Sequence, residues 1–246
     1  MRFGVMALAA GLLAASGVRA DEVEGAPAGT GWFLSPMFGW DRDTLTIPGP
    51  MGTESKITDT APEYGLSAMV SNPHLVVNNF AFFTRVNDAD IWGDFLFANY
   101  YVDDKAPVTF NAGAGYLYHN IVPEGDNITV QVPMAKAGVR VRIPALHLTL
   151  NPYVGYAWEL DDTQHGSQQD DSYLYGVGAH WHWRMLDANV NYYYQDSIDI
   201  KPDFQTVRAR FSAAINRTWG ITARIDYMEH QSTTDTSYLI GPVATF

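Results

Sequence analysis

Basic side chains recur at alternate positions in two stretches of this chain, Lys136, Arg140 and Arg142 in one and Arg208 and Arg210 in the other, with Arg85 and Arg224 in similar settings. Between them stand apolar residues: Ala135, Ala137, Val139, Val141 and Ile143 in the first stretch, Val207, Ala209 and Phe211 in the second. A spacing of two puts one set on each face of a β-strand. Glu159, Asp187 and Asp226 fall in the same phase as the basic residues, as do Glu63 and Asp94 and the imidazoles of His119, His147, His180 and His182. Fixed charges lining a narrow aqueous passage set its ion preference, and a surplus of arginine and lysine favours anions. The same charges enclosed without a passage would pair into an internal salt-bridge network. Both readings stay open at the level of sequence.

Two further groupings test for other chemistry. His180 and His182 share a strand face, with His147 and Asp187 expected on the neighbouring strands, and a metal site needs that kind of convergence. The pair falls near a strand end, where hydrogen-bonded imidazoles are commonplace, so no metal and no cofactor are expected. The triplet His165-Gly166-Ser167 has the residue types of a hydrolase. It sits in an acidic, Gln-rich loop, whereas a nucleophile and its base must be held rigidly with a third group orienting the base. No catalytic residue is assigned, and an enzyme is not the expectation.

Placing the charges on one face requires strands, and from Trp32 onward the chain alternates with period two and keeps no apolar stripe at helical spacing. The alternation marks strands at 32–40, 61–70, 75–86, 91–102, 107–120, 128–143, 146–160, 171–183, 185–197, 204–216, 218–229 and 235–246. In the seventh, Leu148, Leu150, Val154, Tyr156 and Trp158 oppose Thr149, Asn151 and Glu159; in the ninth, Leu186, Ala188, Val190 and Tyr192 oppose Asp187, Asn189 and Asn191. Glycines such as Gly113, Gly115, Gly138, Gly176 and Gly178 stand on the polar face, which suits a crowded interior. Trp32, Trp183, Trp219 and Phe246 gather at one set of strand ends, and Trp40, Trp158, Tyr173, Tyr192, Tyr227 and Tyr238 toward the other. Two aromatic belts are what a bilayer with two interfaces imposes. Short and long connections alternate along the chain. The predicted fold is all-β, a closed antiparallel transmembrane barrel of about twelve strands, with ten or fourteen as the alternatives.

The chain begins with Met1-Arg2, an apolar run from Gly4 to Gly17, and small residues at Val18-Arg19-Ala20. That order reads as a secretory signal over residues 1–20, followed by a short periplasmic segment at 21–30 and the barrel at 31–246. Cysteine is absent, which removes thiolate chemistry and disulfides. The net charge of −12 speaks against a nucleic-acid partner, whose phosphates demand a basic surface. Mean hydropathy is −0.13, as expected when lipid-facing and water-facing residues alternate. Much of the acidity falls between strands, where Asp41, Asp43, Asp59, Glu124, Asp161, Asp162 and Asp203 would meet lipopolysaccharide and its divalent cations.

The C-terminal run carries a family resemblance. Tyr238, Ile240, Ala244 and Phe246 stand at alternate positions and end on an aromatic residue. This resembles the C-terminal assembly signal of Gram-negative outer-membrane β-barrels; Pro242 departs from it and marks a kink or a weakened last strand. The resemblance implies an outer-membrane location, contact with outer-membrane lipids and lipopolysaccharide, and recognition by the barrel assembly machinery. In size and in its inward Arg and Lys residues the chain also resembles, weakly, the narrow twelve-stranded porins for acidic oligosaccharides. The expected function is a narrow channel for small hydrophilic solutes, leaning toward anions. A structural or surface-interaction barrel with a filled lumen is the alternative, and an outer-membrane lipid hydrolase the third reading.

Overall fold

Period-two alternation becomes twelve strands in the computed structural model, which describes residues 31–48, 54–86, 89–102, 106–122, 127–163, 166–198, 203–230 and 233–245. The expected signal and N-terminal segment, His165 and Phe246 lie outside the described residues. The strands are β1 (Gly31–Pro48), β2 (Glu54–Ser71), β3 (Leu75–Val86), β4 (Ala89–Tyr101), β5 (Val108–Val122) and β6 (Ile128–Ile143). They continue as β7 (Leu148–Thr163), β8 (Gly166–Trp183), β9 (Leu186–Ser197), β10 (Phe204–Ala214), β11 (Trp219–His230) and β12 (Thr233–Thr245). Each pairs antiparallel with its sequence neighbours, and β12 pairs with β1 to close the barrel. Closure leaves no sheet edge, so the strands satisfy one another's backbone groups within the hydrocarbon. Among the described residues no helix is long and apolar enough to cross a membrane; the crossing is made by strands.

Two hairpins extend beyond the sequence expectation. Residues 41–48 and 54–60 are strand rather than loop, because β1 and β2 stay in register as far as Pro48 opposite Glu54. Likewise β7 and β8 continue to Thr163 opposite Gly166. Apolar alternation stops where both faces are wet, while backbone pairing does not depend on lipid and runs on, helped by β-branched pairs such as Thr44 and Thr58, whose hydroxyls lie 3.2 Å apart.

The wall is organised by height. Trp40, Tyr64, Trp158, Tyr173 and Tyr238 are exposed on the outer face toward the external end, and Tyr100, Trp183 and Trp219 toward the periplasmic end. Above Trp40 and Tyr238 the outward positions turn polar, with Arg42 and Thr44 on β1 and Thr234 and Thr236 on β12.

Three expected orientations are corrected. Arg85 points away from the lumen, 61% exposed, and pairs with Asp90 at 3.5 Å on the outer surface. Asp94 faces outward as well, accepting a hydrogen bond from Asn79. The cause is one inversion of pattern: β3 and β4 turn Phe80, Phe82, Phe95 and Phe97 inward, so their polar alternates go to the outside. His147 is in no strand. It follows a 3-10 turn at Pro144–Leu146, adopts a left-handed φ of 52°, and is exposed at the periplasmic rim.

The inward rings explain the inward glycines. A Cβ on Gly65 would meet the Phe80 ring at 2.9 Å, on Gly93 the Phe82 ring at 2.4 Å, on Gly115 the Phe97 ring at 2.2 Å, and on Gly176 the Tyr153 ring at 2.3 Å. Each ring lies across a neighbouring strand where only glycine gives it room. At the closing seam, a Cβ on Gly39 would stand 1.6 Å from the Tyr238 carbonyl oxygen. Pro242 brings no N–H to this seam; its carbonyl instead accepts a hydrogen bond from the Ser35 hydroxyl at 2.8 Å.

Candidate functional site

The inward faces enclose one cavity of about 930 Å³. Thr233, Asp235, Glu159 and Phe204 line it toward the outside, and Gly31, Ser71, Tyr101 and Arg140 toward the periplasm, so it follows the barrel axis. Its size is that of a small-molecule site rather than a wide aqueous pore. Two apolar clusters stand in the wall of this cavity. Met37, Phe80 and Leu239 pack on one side with Phe82, and Val132, Ala157 and Leu174 on the other with Leu117, Met134 and Tyr193.

The basic residues come together on this cavity as alternation implied, and each settles on an aromatic face. Lys136 Nζ lies 4.1 Å from the centroids of both Phe97 and Tyr153. Arg140, 2% exposed, stacks on Tyr101 at 4.2 Å. Arg210 lies 4.9 Å from Phe33, and Arg224 3.5 Å from Phe80. Arg208 lies 4.7 Å from Phe95 and 5.7 Å from Tyr193. Since β10 and β4 stand opposite one another in the ring of strands, Arg208 reaches across the lumen. Cation–π contact of this kind holds a charge in place without neutralising it.

Carboxylates compensate only part of the set. Asp226 accepts from Arg224 Nε at 3.0 Å and Nη2 at 2.6 Å, and lies 3.9 Å from Arg208 Nε. Near the periplasmic mouth, Asp187 bonds to His180 Nε2, with His182 Nδ1 and Arg210 Nη2 each 3.8 Å away. The two histidines therefore share one half-buried carboxylate. Thr149 of β7, not His147, stands beside His180.

At the external mouth, inside the lumen and above the aromatic belt, Asp41, Asp43 and Asp235 bring carboxylate oxygens within 4.8 Å of one another. Burial, followed by repulsion from Asp41 and Asp59, pushes the Asp43 carboxyl up to about 6. Burial and then the hydrogen bond with Asp41 push Asp235 up to about 9. A proton shared within the group relieves like charges that cannot all ionise together.

Of the residues expected to face inward, Lys136, Arg140, Glu159, His180, Arg208, Arg210, Arg224 and Asp226 line the cavity. Arg142, His182 and Asp187 also face inward by register but stand nearer the periplasmic rim. Arg85 and His147 do not face it. Sequence reasoning did not single out the aromatic lining, Phe33, Phe80, Phe95, Phe97, Tyr101, Tyr153 and Tyr193; placing Arg85 and Asp94 inward sends Phe80, Phe95 and Phe97 to the lipid side. The available signal was the glycines: an inward glycine one strand away from an aromatic residue marks a ring folded inward. In the last strand, Tyr238 and Ile240 project outward, 48% and 55% exposed, on either side of the buried Leu239.

The sequence matches no protein-family model and none of the curated proteins. Solved structures do resemble the fold. The translocator domain of the autotransporter NalP from Neisseria meningitidis superposes with a TM-score of 0.52 at 13% identity, covering 91% of each chain. The transport unit of the autotransporter AIDA-I from Escherichia coli gives 0.51 at 9% identity over 96% of each. At such identities the likeness speaks for architecture, and it agrees with the closed ring of twelve strands and the two aromatic belts: the chain has the fold of the transmembrane β-barrels of bacterial outer membranes.

Proposed function

We propose that this barrel is a narrow outer-membrane channel for small hydrophilic solutes with a preference for anions. The observation that carries this reading is the axial cavity, lined at mid-height by Lys136, Arg208, Arg210 and Arg224 and carrying fewer carboxylates than cations there. A positive stretch between low-dielectric walls concentrates anions and repels cations. The acidic collar at the outer mouth and the barrel assembly contacts expected of β12 belong to the same proposal, as does the outer-membrane lipid environment.

The neighbours are named as a translocator domain and a transport unit of autotransporters, but Arg208 lying against Phe95 on the opposite wall narrows this lumen against an object ~10 Å wide such as a helix. A second reading, a barrel filled by its own side chains, draws support from the two apolar clusters. Reconstitution in a planar bilayer separates the readings. The channel should conduct in discrete small steps, with a reversal potential in a KCl gradient set by chloride. Insertion without conduction would favour the filled barrel, and potassium-dominated current would overturn the anion preference.

A further inference from the structure

The strand β6 changes character along its length. Its inward positions read Val130, Val132 and Met134 from the external side, then Lys136, Gly138 and Arg140 toward the periplasm. Leu117 of β5 stands opposite Val132, and Leu174 of β8 packs on the same cluster. The cavity is therefore bounded on this side by an apolar wall that ends at an ammonium group. Barrel interiors are ordinarily polar, so a hydrocarbon surface facing the lumen is a departure in need of a use.

Lys136 supplies the second half of the observation. An ammonium has three N–H donors. Among the described residues no carboxylate lies within ion-pair distance of Lys136, and its close neighbours are the faces of Phe97 and Tyr153. Rings attract the charge but do not accept its protons as an oxygen would, so this half-buried cation keeps donors open to the cavity. Gly113 and Gly155, its partners on the flanking strands, keep the space beside its stem clear.

From this juxtaposition we infer that the lumen contains a binding site for small amphipathic carboxylates, with the carboxylate on Lys136 and the hydrocarbon body against Val130, Val132, Met134, Leu117 and Leu174. The inference rests on the channel reading and narrows it. A sugar-like solute would find nothing to bond to on the apolar wall, and an inorganic anion would gain nothing from it. An alkyl or aryl carboxylate uses both halves. Its affinity should rise with chain length, by roughly two- to fourfold per methylene according to how fully each is buried.

The test is titration of the full protein in non-ionic detergent with acetate, butyrate, hexanoate and benzoate, read by calorimetry, alongside block of chloride current in planar bilayers by the same compounds. Hexanoate and benzoate should bind at least tenfold more tightly than acetate, and hexanol and hexylammonium should not bind. Lys136→Met should abolish hexanoate binding, Lys136→Arg should retain it, and Met134→Gln should flatten the dependence on chain length. Affinity independent of chain length, or indifferent to Lys136→Met in a folded barrel, overturns the site even if chloride conduction persists. Conduction that fails while hexanoate still binds overturns the channel reading and leaves the site standing.

Discussion

Arg208 offers the sharpest test, because one side chain both narrows the lumen and charges it. Its guanidinium lies on Phe95 of the facing wall, with Asp226 no nearer than 3.9 Å. An anion passing at ~4 Å gains about 1 kcal/mol at the dielectric of bulk water and several times that in a drier passage. Taking the lower value, loss of the charge should reduce anion permeation about fivefold, and loss of the matching repulsion should raise cation permeation by a similar factor. The ratio of anion to cation permeability should therefore fall about 25-fold on removing the charge. Width and charge can be told apart with two variants. Arg208→Gln keeps most of the length and loses the charge, so selectivity should fall with no gain in conductance. Arg208→Ala loses both, so selectivity should fall by the same amount while single-channel conductance rises. Reversal potentials and step sizes in a planar bilayer give both numbers. If Arg208→Ala leaves the conductance of a folded barrel unaltered, the guanidinium does not stand across the route taken by ions, and the argument for a constriction there is wrong.

The acidic collar predicts a pH dependence. The Asp43 and Asp235 carboxyls sit above the usual carboxylate range, at about 6 and about 9. The folded barrel therefore keeps protons that the unfolded chain gives up near pH ~4, and stability is full below that pH and declines as pH rises through both raised values. Melting temperature, followed by the shift of the folded band on a gel, should be higher at pH 5 than at pH 9, and Asp235→Asn should flatten the trend; a flat profile in the parent protein would contradict the collar. At the closing seam, Gly39→Val would drive a side chain into the Tyr238 carbonyl at a cost above the ~1–3 kcal/mol typical of overpacking. Loss of the folded band is expected, whereas Gly178→Ala, with its nearest neighbour 3.6 Å away, should fold as the parent does.

Much of the architecture could be read before any coordinates. The basic stretches around Lys136 and Arg208 alternate cleanly with alanine and valine, and strands six and ten lie where that alternation puts them. Lipid on one side and lumen on the other makes polarity a reliable guide to facing. That guide fails where the lumen itself is apolar. In β3 and β4 the phenylalanines turn inward against Gly93 and Gly115, and polarity then assigns Arg85 and Asp94 to the wrong side. Hairpin length escaped for a related reason, since Thr44, Thr46, Thr58 and Thr60 carry no apolar alternation although their backbones pair. His147 illustrates a third limit: the strand pattern ran through it, but Pro144 and the left-handed turn made a rim of what looked like a strand start. The stacking of lumenal cations on rings depends on contacts between strands, Arg208 with Phe95 across the lumen above all, and no local pattern encodes it.

The choice of rings as anchors has an electrical consequence. A carboxylate that steadies an arginine also cancels it, and it lets go when acid protonates it or concentrated electrolyte competes. A benzene or phenol face steadies the guanidinium through its quadrupole, adds no formal charge, and at neutral pH has no proton to exchange. Arg208 can thus be held in place with most of its charge uncancelled. The interior potential it creates should persist across the swings of acidity and salinity that a cell surface meets.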